Sequence, residues 1–95
     1  MTKILRCLAI DDEPLVLKLV ETFAAQTPFV ELISTFESAI DAMRFLQGRS
    51  VDLLFLDINM PQFSGMELAR WMQHQTQPLP KIIFTTAYNQ YVIEV

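Results

Sequence analysis

The stretch VDLLFLDINMPQFSG, residues 51–65, decides the fold that we expect for this chain. Its apolar run, residues 53–56, is too short for a stable lone helix and predicts a strand buried on both faces of a sheet. Asp57 follows the run directly. Because ligands of an open α/β sheet bind at the carboxyl ends of its strands, we expect Asp57 at the mouth of a crevice rather than in the core.

The residues after Asp57 predict a turn into a helix. Pro61 disfavours helical geometry at Met60, and Gly65 allows the backbone to pass closely before the next helix begins. The organising strand is therefore expected to end in a shaped loop.

Three other runs also predict strands, at residues 4–10, 30–36 and 81–86. Helical spacing of apolar residues follows the first two strands and the organising strand, and residues 89–95 read as the start of a fourth helix. Pro14 suits the start of the first helix, Thr27-Pro28 stops it, and Gly48 suits the end of the second. The predicted inward residues are Val16, Leu19, Val20 and Phe23, then Ala39, Ala42, Met43 and Leu46, then Met66, Ala69 and Leu68 or Met72.

This alternation of strands and helices predicts one doubly wound α/β domain with a parallel sheet and right-handed crossovers. The 95 residues leave no room for a second domain. A fifth strand would be due about ten or more residues beyond Val95, since a parallel crossover needs a dozen or more. We therefore expect the domain to be incomplete at its C-terminus, with the fourth strand as an open sheet edge.

Composition and charge exclude several function classes. A net charge of −4 with seven scattered Lys and Arg argues against nucleic-acid binding by this chain itself. Cys7 is the one cysteine, so no internal disulfide forms and a reducing cytosol fits. The first apolar run is interrupted by Arg6 and closed by Asp11-Asp12, which fits neither a signal peptide nor a membrane span.

Acidic residues follow two of the predicted strands. If the first and third strands are neighbours, Asp11, Asp12 and Asp57 converge at the carboxyl edge of the sheet. Such a cluster either raises some of its pKa values or holds a cation, and carboxylates with a backbone carbonyl suit Mg²⁺. The alternative is that Asp11, Asp12 and Glu13 merely cap the first helix.

A carboxylate in the position of Asp57 can also act as a nucleophile toward a phosphoryl group. Thr85 and Thr86, at the end of the next strand, could donate hydrogen bonds to the transferred group. The alternative for these threonines is ordinary strand propensity.

Three motifs, DDEP at residues 11–14, LLFLDINMPQFSG at residues 53–65 and FTTAY at residues 84–88, together resemble the receiver domain of two-component response regulators. The resemblance covers the whole chain, and DDEPLVL with TTAYNQY looks most like receivers that precede a LytTR-type (LytR/AlgR) DNA-binding domain. It implies a flavodoxin-like (CheY-like) fold with strand order 2-1-3-4, lacking the fifth strand and last helix. Residues 1–95 would then be one receiver domain, incomplete at the C-terminus.

The resemblance implies a role for each matching residue. Asp57 would be the phosphoacceptor, and Asp11, Asp12, Asp57 and the backbone carbonyl of Asn59 would bind Mg²⁺. Thr86, followed by alanine, would be the switch hydroxyl. The lysine that receivers carry at the end of the fifth strand has no counterpart in this sequence.

The same resemblance implies a cytoplasmic signalling protein that is phosphorylated by a sensor histidine kinase and is not a turnover enzyme. It implies contact with DNA only through an output domain that controls transcription and is absent from these residues, and no contact with a membrane. The open sheet edge predicts a dimer, with exchanged elements.

Other functions compete with this interpretation. A phosphatase of the haloacid-dehalogenase type needs an acid two residues after the nucleophile, where Asn59 stands. A cobalamin-binding module would want histidine there and glycine at the position of Gln62. An interaction module that keeps the receiver fold without phosphorylation is left open.

Overall fold

The computed structural model describes residues 3–60, 64–75 and 79–85. Within these ranges, four parallel strands alternate with three helices in a sheet of order β2-β1-β3-β4, which confirms the predicted fold. The helix predicted at residues 89–95 lies outside the described residues. The elements are β1 (Leu5–Ile10), α1 (Pro14–Ala25), β2 (Val30–Phe36), α2 (Ala39–Leu46), β3 (Leu53–Asp57), α3 (Gly65–Gln73) and β4 (Lys81–Thr85).

The central strands β1 and β3 pair in parallel, with Cys7 beside Leu53 and Ile10 beside Leu56. Because parallel strands end at the same edge of a sheet, this register carries the residues after Ile10 to the side of Asp57. The register therefore brings the two acidic segments together.

The main core lies on the face of the sheet that α2 and α3 cover. Alternate residues of the two central strands are fully buried there, as the period of two along a strand requires. The buried cluster comprises Leu8 and Ile10 of β1, Leu54 and Leu56 of β3, Ala39, Ala42 and Leu46 of α2, Leu68 and Met72 of α3, and Val51 and Met60 beside them. Within the described ranges no helix has the length and apolar content to cross a membrane.

Helix α1 packs against β1 and β2, and its buried residue is Leu17, only 6% exposed. The inward face predicted from the sequence is wrong for Leu19 and Phe23, which are 59% and 66% exposed. The helix is apolar around much of its circumference, with Leu15 also exposed, so periodicity alone did not identify the face that packs on the sheet.

Two further predictions of burial need correction. In β3, Leu54 and Leu56 are buried, but Leu53 and Phe55 are only partly buried. Helix α1 lies mainly over β1 and β2 and leaves a groove of about 160 Å³ beside Phe55. Met66 of α3 is exposed. It lies two residues before Leu68, which places it on the opposite side of the helix.

The ends of the helices follow the predicted signals. Pro14 opens α1, and Gly48, with φ of +74°, follows the end of α2. Ser64 accepts a hydrogen bond from the N–H of Glu67, whose carboxylate accepts one from the N–H of Ser64. This capping box fixes the start of α3 close to the end of β3.

We expect Leu17→Ala to lower the free energy of unfolding by about 2–4 kcal/mol, because it leaves a cavity under α1. The matched change Leu19→Ala should cost less than about 1 kcal/mol, because that side chain is mostly in water. Urea unfolding of both variants measures the difference. A larger loss for Leu19→Ala than for Leu17→Ala would show that α1 packs through the face predicted from periodicity.

Candidate functional site

Asp11, Asp12 and Asp57 meet at the carboxyl edge of the sheet. Each offers a carboxylate oxygen, and these three oxygens all lie within 4.8 Å of one another. The N–H of Asp11 donates to the carbonyl of Phe36 in β2 at 3.0 Å, which fixes the end of β1. The convergence predicted from the sequence is therefore confirmed for these three acids.

Two of the three carboxylates are buried and held by the main chain. Asp11 is 5% exposed and Asp57 is 7% exposed, whereas Asp12 is exposed. The N–H of Glu13 donates to Oδ1 of Asp11 at 2.8 Å, and the N–H of Asn59 donates to Oδ1 of Asp57 at 3.1 Å. In both residues one carboxylate oxygen is oriented by the backbone N–H of the residue two positions later.

The electrostatics of the cluster disfavour full ionisation. Burial is the main cause that raises the pKa of Asp57 to about 6; the N–H of Asn59 opposes the rise, and the charges of Asp11 and Asp12 contribute to it. Burial also raises the pKa of Asp11, with the N–H of Glu13 opposing and the charge of Asp12 reinforcing the rise. A cation among these oxygens would favour their ionised forms.

Helix capping does not account for the acids in the described part of the chain. The N-cap residue of α1 is Glu13, and its side chain makes no capping hydrogen bond. The carboxylate of Asp11 accepts the N–H of Glu13, which lies before the first helical residue. Their arrangement instead fits a cation site, because hard carboxylate oxygens are the donors that Mg²⁺ prefers.

The loop after Asp57 depends on a close approach of two backbone segments. Met60 is buried, and Pro61 lies outside the described residues. The N–H of Gly65 donates to the carbonyl of Ile58 at 3.1 Å, and a Cβ on Gly65 would overlap the carbonyl oxygen of Asp57. Glycine is required here by lack of space.

Of the two threonines predicted near the site, the structure describes Thr85 but not Thr86. Thr85 ends β4 as the register partner of Asp57, and a hydrogen bond from its side chain lowers the pKa of Asp11. Thr86, the residue singled out from the sequence, lies outside the described residues. The sequence predicted Thr85 beside the site, at the end of the neighbouring strand, but not that its partner there is Asp11.

We expect Asp57→Asn to raise the free energy of unfolding at pH 7.5 by about 1–3 kcal/mol in buffer without divalent ions. The raised pKa of Asp57 means that its contribution to stability is full below the unfolded value, near 3.8, and is lost as the pH rises through about 6. The difference between variant and wild type should therefore be smaller at pH 4.5. Urea unfolding at both pH values measures it.

The control for that experiment is Asp41→Asn, which changes an exposed aspartate of α2. An Asp57→Asn protein that is no more stable than the wild type at pH 7.5 would contradict the electrostatic account.

We expect Gly65→Ala to destabilise the protein by about 1–3 kcal/mol, because the added methyl group must displace the end of β3 or the start of α3. The matched variant Gly48→Ala has open space and should cost about 1–2 kcal/mol through its positive φ alone. Amide chemical shifts of Asn59 should change in the first variant and stay constant in the second. An unchanged Asn59 signal in Gly65→Ala would rule out the close contact.

The comparisons with known proteins agree with this geometry. The family model for the response regulator receiver domain matches residues 7–95. The sensory transduction protein LytT of Enterococcus faecalis is 36% identical over 92% of this chain, and the transcriptional regulatory protein BtsR of Escherichia coli is 30% identical over 95% of it. The aligned parts make up 36% and 37% of those proteins, so the chain spans little more than a third of the length of these relatives.

Solved structures of receivers also resemble this one. The response regulator protein TrrA from Thermotoga maritima, in complex with Mg²⁺ and BeF, is 33% identical with a TM-score of 0.78, and the match covers 93% of this chain and 74% of that chain. The predicted resemblance to response regulators, with LytT among the relatives, is confirmed. The chain belongs to the response regulator receiver domain family of two-component systems.

Proposed function

We propose that this receiver accepts a phosphoryl group on Asp57 in a reaction that depends on Mg²⁺. The observation that carries the proposal is the meeting of three carboxylate oxygens within 4.8 Å, with one oxygen of Asp57 held by the N–H of Asn59. A buried acid at the end of a central strand is positioned to react only from one side. Phosphoryl transfer depends mostly on such positioning and on charge compensation.

In the proposed step, a carboxylate oxygen of Asp57 attacks the phosphorus of a phosphohistidine on a sensor histidine kinase. The new phosphorus–oxygen bond forms as the phosphorus–nitrogen bond breaks, and the imidazole nitrogen leaves with the electron pair. The Asn59 N–H keeps the carboxylate oriented during the attack. Asp57 reacts in its ionised form, which its raised pKa disfavours in the absence of a cation.

The proposed metal ligands are Asp11, Asp12, Asp57 and the backbone carbonyl of Asn59. The ion would supply the positive charge that offsets these acids and the incoming phosphoryl group. Thr86 is proposed as the hydroxyl that donates to the bound phosphoryl group.

The biological role follows from the family and from the relatives. We propose that residues 1–95 are a cytoplasmic receiver that controls a DNA-binding output domain and acts as a switch rather than a turnover enzyme. LytT is a sensory transduction protein and BtsR is a transcriptional regulatory protein, which supports this role. Self-association through β4, one of the two edge strands of the described sheet, belongs to the same proposal.

The test is the intact mass of the protein after incubation with acetyl phosphate, with and without Mg²⁺. One phosphoryl group should be added to the wild type only with Mg²⁺ and none to Asp57→Asn. Asp12→Asn should react about 10-fold more slowly or worse, because a metal ligand is lost. Asp41→Asn, outside the cluster, should react at the wild-type rate.

Two results would contradict the proposal. A phosphoryl group on Asp57→Asn would place the acceptor elsewhere. No phosphoryl group on a folded wild type in Mg²⁺ would leave the interaction module as the function of this chain.

A further inference from the structure

A second cleft lies at the amino edge of the sheet, at the opposite end of β1 from the acid cluster. Its volume is about 370 Å³, within the range of about 300–1,000 Å³ typical of small-molecule sites. Its lining combines apolar residues with two arginines and a serine. The lining residues are Arg6, Ile33, Phe45, Arg49, Ser50 and Val51.

The end of α2 fixes one guanidinium group in this cleft. The positive φ of Gly48 turns the chain after α2, and the N–H of Arg49 donates to the carbonyl of Leu46 at 3.1 Å. The guanidinium carbon of Arg49 then lies 4.4 Å from the centroid of the Phe45 ring. Stacking holds the face of the guanidinium and leaves its N–H edge able to bind an anion in a bidentate manner.

Arg6 supplies the second positive charge. Asp52 lies nearby: its Oδ2 accepts the backbone N–H of Arg6 at 2.8 Å and its Oδ1 lies 3.4 Å from Nζ of Lys3. That backbone hydrogen bond is the main cause of the lowered pKa of Asp52, to which the charges of Lys3 and Arg6 also contribute. Glu31 is the register partner of Arg6 in β2. An anion would have to compete with the Glu31 carboxylate for the guanidinium of Arg6. In the described part of the chain, the ion pairs are Lys3–Asp52 and Arg44–Asp41, so neither cleft arginine belongs to one.

The apolar side of the cleft comes from β2 and α2. The register of β1 with β2 shifts so that Ile33 is an extra residue, opposite no partner in β1. The Phe45 ring lies beneath Arg49 and packs against Phe36, with 5.3 Å between the ring centroids. Val51 closes the base of the cleft and is itself buried.

We propose that this cleft binds a small organic anion with a flat, apolar body, of the aromatic carboxylate class. A carboxylate between the two arginines would accept charge-assisted hydrogen bonds from both, while the flat body packs on the apolar lining. The site is separate from the acid cluster, because Arg6 and Asp11 lie about 16 Å apart at the rise of a strand, ~3.3 Å per residue.

The test is a titration of the ¹⁵N-labelled protein with 2-naphthoate, followed by amide chemical shifts. We expect saturable shifts at Arg49, Ser50 and Val51. Naphthalene-2-carboxamide, which has the same shape without the charge, should bind about 10-fold more weakly or worse, as expected for loss of a charge-assisted contact.

Variants assign the effect to the two arginines. Arg49→Gln and Arg6→Gln should each weaken binding about 5-fold or more, whereas Arg70→Gln, an exposed arginine of α3 outside the cleft, should leave it unchanged. Asp57→Asn should also bind normally, so the proposal stands or fails independently of phosphorylation. Amide spectra of the variants verify that each is folded.

Four outcomes would overturn the proposal. Shifts that do not saturate, or equal binding of the carboxamide, would show that no anion site exists. If Arg70→Gln weakened binding of the probe as much as the cleft variants do, the effect would come from the net charge of the protein and not from the cleft. Saturable shifts centred on Val20 and Phe55 would place the probe in the groove beside α1 instead.

Discussion

The parallel pairing of β1 with β3 is the constraint on which both the core and the acid site depend. Up to Ile10 and Leu56 the two strands contribute buried aliphatic side chains, and at the next residue on each strand the side chains become carboxylates. Each buried aliphatic side chain contributes about 1.5–3 kcal/mol. The raised pKa of Asp57 corresponds to a cost of about 3 kcal/mol at most. The core therefore outweighs the cost of burying Asp57 beside two other acids at its edge.

The main chain, rather than a shell of side chains, organises the site. The N–H groups of Glu13 and Asn59 each orient a buried carboxylate from two residues downstream, and Gly65 brings the start of α3 against the carbonyl of Asp57. Backbone donors fixed by turns keep their directions when the charge of the cluster changes. We propose that the charge at Asp57 changes during function, and fixed backbone donors keep the site in the same geometry throughout that change.

Strands and acids could be predicted from the sequence because each is encoded locally. The apolar run before Asp57 is short and has clear ends. Asp11 and Asp12 directly follow the first predicted strand, so their position at the carboxyl edge of the sheet could be predicted. The packing of α1 could not be predicted in the same way, because Leu17 and Leu19 are equally apolar and only the position of the helix over β1 and β2 distinguishes them. The amino-edge cleft was also missed, since Arg6 and Arg49 meet only through tertiary structure.

The register of the central strands also governs how the domain folds. Cys7 of β1 pairs with Leu53 of β3, and the chain between them contains α1, β2 and α2. Closing so long a loop costs entropy before any contact is gained, and such distant pairing slows folding. Asp11 and Asp57 come together only once that closure is complete. A cation that binds between them therefore acts on the folding equilibrium of the whole domain, and no excised hairpin or helix of this chain would reproduce the site.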